Sequence, residues 1–237
     1  MIIIERREKI LEILKRKRTA SIKELSAELF TSEASIRRDI EALEAEGIVR
    51  RVWGGVTMDV HRNTVTPLGI RDGKNSAAKE LIAQRAAALV KDGDTILMDS
   101  SSTVRRVLKY LSGKRDLKII TNNARIFSEC DSSDIELFCT GGYYLAEEHA
   151  FAGSAAERYV TTVNADILFF SSSALSTDGE VSDVSEVETS LRRVMISRAR
   201  RRVFLCDSSK LGDRRTFVVC KKDELTDIIC DVPLNFD

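Results

Sequence analysis

Residues 21–56, SIKELSAELFTSEASIRRDIEALEAEGIVRRVWGGV, constrain the fold more tightly than any other stretch. Ser21 and Glu24 have capping-box spacing, and Ile22, Leu25 and Leu29 recur at i, i+3 and i+7, which predicts a short helix. Thr31 or Ser32 caps a second one. Its Ile36, Ile40 and Leu43 turn inward at i, i+4 and i+7, and Gly47 stops it. A helical wheel puts Ala34, Arg37, Arg38 and Glu41 on the outer side. Ile48 to Val52 has strand character, and Gly54-Gly55 makes a turn. A preceding helix from about Glu5 to Lys17 carries Ile10, Leu11, Ile13 and Leu14 on its apolar side. Together these segments spell a helix-turn-helix followed by a wing.

Such a unit buries one face of its second helix and offers the other to the major groove of duplex DNA. The charges agree. Lys15 to Arg18, Arg37-Arg38 and Arg50-Arg51 form basic clusters, although Lys+Arg and Asp+Glu are both 37 over the whole chain. A neutral total excludes a histone-like general binder but not a local basic face. No apolar run reaches the roughly 20 residues that span a bilayer, and the expected location is the cytoplasm. Five cysteines without a CxxC pair, beside two histidines, indicate neither a zinc site nor a disulfide framework. No metal or cofactor is expected.

Periodicity lapses over 57–75, which contains Pro67 and reads as a linker. The expected division is residues 1–57 for the winged helix-turn-helix, 58–75 for the linker and 76–237 for a second domain. From Ser76 helices alternate with short apolar strands. Helices are expected at about 77–91, 103–111, from Asn123 and at 184–199, with strands at 95–99, 117–121, 135–139, 166–170 and 201–206. That alternation implies an α/β domain whose sheet is mostly parallel.

Ligands of open α/β sheets bind beyond the carboxyl ends of the strands. Polar clusters fall at those ends here: Asp99-Ser100-Ser101-Ser102-Thr103, Thr121-Asn122-Asn123, Gly141-Gly142 and Asp207-Ser208-Ser209-Lys210. Hydroxyls and backbone N–H groups opening a helix after Asp99, with a lysine on the same edge, suit a small phosphorylated polyol. Asp99, Asp207 and Lys210 could in principle serve an isomerase, but no matched catalytic pair stands out. Glu186 and Glu188 are expected to face solvent; the basic run of Arg192-Arg193 and Arg198 to Arg202 reads first as solvated surface, with a subunit contact or a second phosphate site as alternatives.

The whole pattern resembles the DeoR family of bacterial sugar-responsive transcription regulators. The carriers are the block from Glu24 to Val56 with its SIRRD core and RRxxGG wing, then Arg71, Lys79, DGDTILMDSSST, TNN, TGG, CDSSKLG and DIICD. The resemblance implies a rear domain similar to ribose-phosphate isomerases and CoA transferases, and repression of sugar or nucleoside operons by a homo-oligomer, dimer or tetramer, under a phosphorylated sugar. Carried over residue by residue, it makes Ser32, Glu33, Ser35, Arg37 and Arg38 face DNA, joined by Ser21 and the wing residues Arg50, Arg51 and Trp53. It places the effector among Lys79, Asp99, Ser100, Ser101, Ser102, Thr103, Asn122, Gly141, Gly142, Asp207 and Lys210. Three departures stand out. Ser101 replaces the glycine of the family's D-x-G-T-T loop, FFSSSAL at 169–175 lacks expected glycines, and Trp53 stands where the wing usually has histidine. An alternative is therefore a constitutive DNA binder whose rear domain only assembles subunits.

Overall fold

Capping and apolar spacing produce the expected helices of the first unit. In the computed structural model, which describes every residue except 1–2, 18, 46–47, 59–67, 132, 235 and 237, the chain divides into two compact units, Met1–Arg62 and Asn63–Asp237. The expected stop at Gly47, His61, Pro67 and half of the expected linker lie outside the described residues. The first unit holds α1 (Ile3–Lys17), β1 (Thr19–Ala20), α2 (Ile22–Glu28), α3 (Glu33–Ala45), β2 (Val49–Val52) and β3 (Gly55–Met58). Ser21 and Glu24 form the reciprocal capping box. At α3 the Ser32 hydroxyl accepts from the Ser35 N–H at 3.2 Å, so Ser32 rather than Thr31 is the cap. Ile10, Leu14, Leu25, Ile36, Ile40, Leu43, Val49 and Val56 close the core. Strand β3 lies between β1 and β2, antiparallel to both. Gly55 allows that crossing, because a Cβ there would stand 2.6 Å from the Ala20 carbonyl oxygen.

The second unit runs α4 (Leu68–Gly73), α5 (Ser76–Ala87), β4 (Thr95–Met98), α6 (Ser102–Arg105), β5 (Leu117–Thr121), α7 (Ile126–Glu129) and β6 (Ile135–Cys139). It continues with β7 (Tyr143–Leu145), β8 (Ala150–Ala152), α8 (Ser154–Thr161), β9 (Ala165–Phe170), β10 (Ala174–Leu175), β11 (Glu180–Asp183), α9 (Glu186–Ser197), β12 (Ala199–Cys206), β13 (Phe217–Lys221) and β14 (Asp227–Cys230). Six strands form one sheet in the order β14-β12-β9-β4-β5-β6, every neighbouring pair parallel. Successive side chains alternate between two cores. Ile96, Met98, Ile119, Phe169 and Leu205 enter one, and Leu97, Ile120, Leu168, Phe170 and Phe204 the other. The sheet is thus buried on both faces, and its strand ends are left as the polar edge.

The rear helices are shorter than their periodicity predicts. The 103–111 segment is one α-turn followed by a 3-10 turn at Arg106–Tyr110, and the helix expected from Asn123 is the single turn α7. Two antiparallel features carried no clear signal: the hairpin β7–β8 and the small sheet β10-β11-β13. No described helix is long and apolar enough to cross a membrane. The five cysteines are unpaired, and burial pushes the Cys206 and Cys220 thiols up to about 12.

Candidate functional site

On α3, the residues Ser32, Glu33, Ala34, Arg37, Arg38 and Glu41 are exposed, Ser35 is half-buried, and Ile36, Asp39 and Ile40 are buried. Arg37 pairs with Glu33 at 3.1 Å across one turn, and Arg38 Nε points to the Ala34 carbonyl at 3.4 Å. Both interactions lie in solvent, where ion pairs contribute little. Asp39, which the sequence does not single out, anchors this helix from behind. It accepts from Arg6 Nε at 2.5 Å and Arg7 Nε at 3.3 Å, tying α3 to α1.

The wing residues divide. Arg50 is exposed, and Trp53 stands wholly in solvent at the β2–β3 turn. Arg51 is instead turned back to α3, pairing with Glu41 at 3.2 Å and Glu44 at 3.1 Å, so it braces the wing. Ser21 spends its hydroxyl and its N–H on Glu24. Phe30, in the α2–α3 turn with φ 50, is 95 % exposed, an apolar group with no signal of its own in the sequence.

The expected effector residues gather at the carboxyl edge of the parallel sheet. Lys79, from α5, donates to the Arg71 carbonyl and to Ser102 Oγ at 3.1 Å. Burial first, then the charges of Lys210 and Arg106, lower its ammonium to about 8 against the pull of Asp207 and Asp72. Lys210 donates to Ser171 Oγ at 2.8 Å. Asp207 accepts from Asn75 Nδ2 at 2.7 Å and Ser209 Oγ at 2.6 Å. Burial raises the Asp207 carboxyl, but Lys210, Ser209 and Asn75 outweigh it and hold the group below its ordinary value. Thr103 is buried, and its Oγ1 has no hydrogen-bond partner.

Ser101 does not strain the loop. Its φ is −67°, so no glycine-only conformation is needed. Its side chain takes up space instead: Oγ donates to Asp99 Oδ2 at 2.6 Å, and its N–H donates to Asp99 Oδ1 at 3.0 Å. The helix that opens after this loop is a single short turn, Ser102–Arg105. Gly142 has a structural reason of its own. Its φ is +110°, and the Ala152 carbonyl closes the space a Cβ would need. Neither Gly141 nor Gly142 lines the recess described next.

A narrow recess, without room for a water molecule, is lined by Asp99, Ser100, Asn122, Glu188, Leu191, Arg192 and Met195. Here the structure corrects the expectation of solvated charges, since Glu188 and Arg192 are each at most 4 % exposed. The Arg192 guanidinium reaches Asp99 at 2.8 Å, Asp183 at 3.0 Å and Glu188 at 3.3 Å. Burial alone would make it easier to deprotonate; the charges of Glu188, Asp183 and Asp99 more than offset this and raise it. Asp183 is also held by Ser172 Oγ at 2.8 Å and Ser173 Oγ at 3.0 Å, so the glycine-poor serine run has partners. A signal was available: 188, 191, 192 and 195 share one stripe of a helix with Leu191 and Met195, which predicts burial. No cluster of His, Cys, Asp or Glu suited to a metal ion occurs among the described residues.

Residues 6–62 match the DeoR-like helix-turn-helix domain, and residues 74–232 match the DeoR C terminal sensor domain. The chain belongs to the DeoR family. The uncharacterized HTH-type transcriptional regulator YulB of Bacillus subtilis (strain 168) is 31% identical over 236 residues, 99% of this chain and 91% of its own length. The lactose phosphotransferase system repressor of Lactococcus lactis subsp. lactis is 33% identical over 209 residues, covering 86% of this chain and 82% of that one. Among solved structures, eIF2B delta from Chaetomium thermophilum is similar at a TM-score of 0.50 and 14% identity. That match covers 86% of this chain and 65% of the eIF2B chain, under two thirds of its length, and it is a likeness of fold. D-ribose-5-phosphate isomerase, at 14% identity and a TM-score of 0.43 over 57% of this chain and 54% of its own, is a more distant neighbour. As a DeoR regulator the chain binds DNA through its helix-turn-helix domain and senses a small molecule through its rear domain. It is a transcriptional regulator and not an enzyme.

Proposed function

We propose that this DeoR regulator represses an operon of sugar or nucleoside catabolism, as a cytoplasmic homo-oligomer, and that a phosphorylated sugar at the carboxyl edge of the parallel sheet changes its affinity for DNA. Residues Ser32 to Arg38 read the operator, with Arg50 and Trp53 touching the duplex from the wing. One observation carries the effector: Lys79 and Lys210 lie close enough to repel, and on the same loops Thr103 Oγ1 and Arg71 Nε and Nη2 are buried without hydrogen-bond partners. Buried donors and cations left in this state are costly, and an oxyanion supplies what they lack. The name of the lactococcal relative supports a sugar-linked system.

The same groups suggest how binding is relayed. Lys79 and Ser102 hold the Arg71 carbonyl, while Arg105 and Arg125 hold the Asp72 carboxylate at 2.9 and 2.6 Å. Both acceptors lie in α4, the first described element after residue 58. A phosphate that engages Lys79 and Ser102 competes with the Arg71 carbonyl and loosens α4, which gives the effector a different affinity for two states of the chain. The constitutive reading draws on the recess, which is too narrow to admit a water molecule, whereas ordinary ligand sites run to roughly 300 Å³ or more.

Lys79→Met separates the two. The variant should lose the sugar phosphate's effect on operator affinity, whatever its affinity without ligand, read by gel shift. In the wild type the effector's affinity should fall as pH rises through about 8, because Lys79 gives up its proton there. A sugar phosphate that releases Lys79→Met as well as the wild type would remove Lys79 from the site.

A further inference from the structure

A glycine's place in the turn between α2 and α3 is filled by a phenylalanine. The Thr31 N–H donates to the Ser26 carbonyl at 3.1 Å, and the Phe30 N–H to the Ala27 carbonyl at 3.4 Å. This pair of bonds is the Schellman closure of a helix end, which puts residue 30 where the backbone turns left-handed. Its φ is 50° accordingly. Glycine usually stands there, because a Cβ crowds the following carbonyl in that conformation. A bulky side chain at such a φ is an outlier. Burial does not compensate: Phe30 is 95 % exposed, so its ring adds next to nothing to the core behind it.

Strain and exposure thus coincide on one residue, and neither serves the fold. Residues held in this way cluster at functional sites. The location narrows the function. Ser32 caps α3 two residues on, and Ser32 and Glu33 are exposed. In a helix-turn-helix the N-terminal residues of the second helix are the ones that reach base edges in the major groove. Phe30 therefore continues the DNA face of the helix-turn-helix domain. The turn that carries it is fixed by a third bond, from the Ser26 hydroxyl to the Thr31 carbonyl at 2.6 Å. A phenyl ring brings no donor, acceptor or charge to the groove. The apolar group that a duplex offers there is the C5-methyl of thymine.

We propose that Phe30 is a specificity-determining residue that packs on a thymine methyl group at the end of the half-site read by α3. The left-handed backbone holds the ring out of the turn for that contact. This rests on the reading of the operator by Ser32 to Arg38 and adds an apolar contact beside the polar ones.

The test compares the full-length wild type with Phe30→Gly on operator DNA in which thymines are replaced singly by deoxyuridine. That replacement removes the methyl group and keeps the base pair. In anisotropy titrations of the wild type, at least one position should weaken binding about fourfold, the worth of one buried methyl. Phe30→Gly should bind the unmodified operator about ten to a hundred times more weakly and ignore deoxyuridine at that position. Its salt slope should match the wild type's, since no cation is lost. It should melt at or above the wild-type temperature, because glycine suits the left-handed turn. A wild type indifferent to every thymine methyl, a comparison that needs no variant to fold, overturns the proposal. So does a deoxyuridine effect that survives in Phe30→Gly, or a variant that melts well below the wild type, which would make the ring structural. Undiminished operator affinity in Phe30→Gly overturns it as well, and a smaller assembly by light scattering would then assign the ring to a second copy of the chain. If Arg37→Ala with Arg38→Ala loses affinity while Phe30→Gly does not, α3 remains the reading helix and Phe30 alone leaves the interface.

Discussion

Arg37→Ala combined with Arg38→Ala should weaken operator binding about a hundredfold or more while leaving the melting temperature almost unchanged. Both side chains are exposed on α3, and their interactions with Glu33 and the Ala34 carbonyl lie in solvent. Exposed substitutions of this kind usually change stability by no more than about 0.5 kcal/mol. On DNA the same groups are worth about 1–3 kcal/mol each where they read a base, and removing a group that binds a phosphate lowers the salt slope by about one. Anisotropy titrations at several salt concentrations, beside calorimetry of the variant, measure both. A folded double variant with undiminished operator affinity would show that α3 is not the reading helix.

Arg192→Met should cost about 3–5 kcal/mol, because it leaves carboxyl groups buried without their cation. The pH dependence gives the sign. In the wild type, burial pushes the Asp183 carboxyl up, but Arg192 and the hydrogen bonds from Ser172 and Val184 outweigh it and hold the group low. A depressed folded pKa contributes stability above the ordinary carboxylate range and loses it as pH falls through the folded value. In the variant only burial and the neutral donors remain. Its deficit should therefore shrink as pH falls, because the buried Asp183 carboxyl, no longer held low by Arg192, takes up a proton more readily. Urea unfolding of both proteins followed by circular dichroism between about pH 5 and 8 checks this. A variant as stable as the wild type at neutral pH would mean the cluster relaxes by admitting water.

These two sets of arginines also show what the sequence could and could not convey. Arg37 and Arg38 were legible because the period that buries Ile36, Ile40 and Leu43 settles their direction within one helix. The parallel sheet was legible for a similar reason: strands buried on both faces read as continuous apolar runs. For Arg192 the helical stripe shared with Leu191 and Met195 signalled burial but not its partners, which lie elsewhere in the chain. Asp99 is 93 residues away on the edge after β4, and Asp183 ends β11, a strand of the antiparallel sheet that no periodicity announced. Asp39 was hidden likewise, its partners Arg6 and Arg7 lying a helix away. The Gly-to-Ser departure at Ser101 was visible, but only φ and the bond to Asp99 show that it fills space without straining the backbone.

If the rear domain gates DNA binding through a small phosphorylated ligand, the two must be coupled in one equilibrium. Fluorescence anisotropy with DNA from just upstream of the gene itself, titrated with and without a panel of sugar phosphates, reads that coupling. At least one compound should shift the operator Kd about tenfold or more, a coupling of about 1.4 kcal/mol. An operator affinity indifferent to every compound in the panel would contradict gating and leave a constitutive binder.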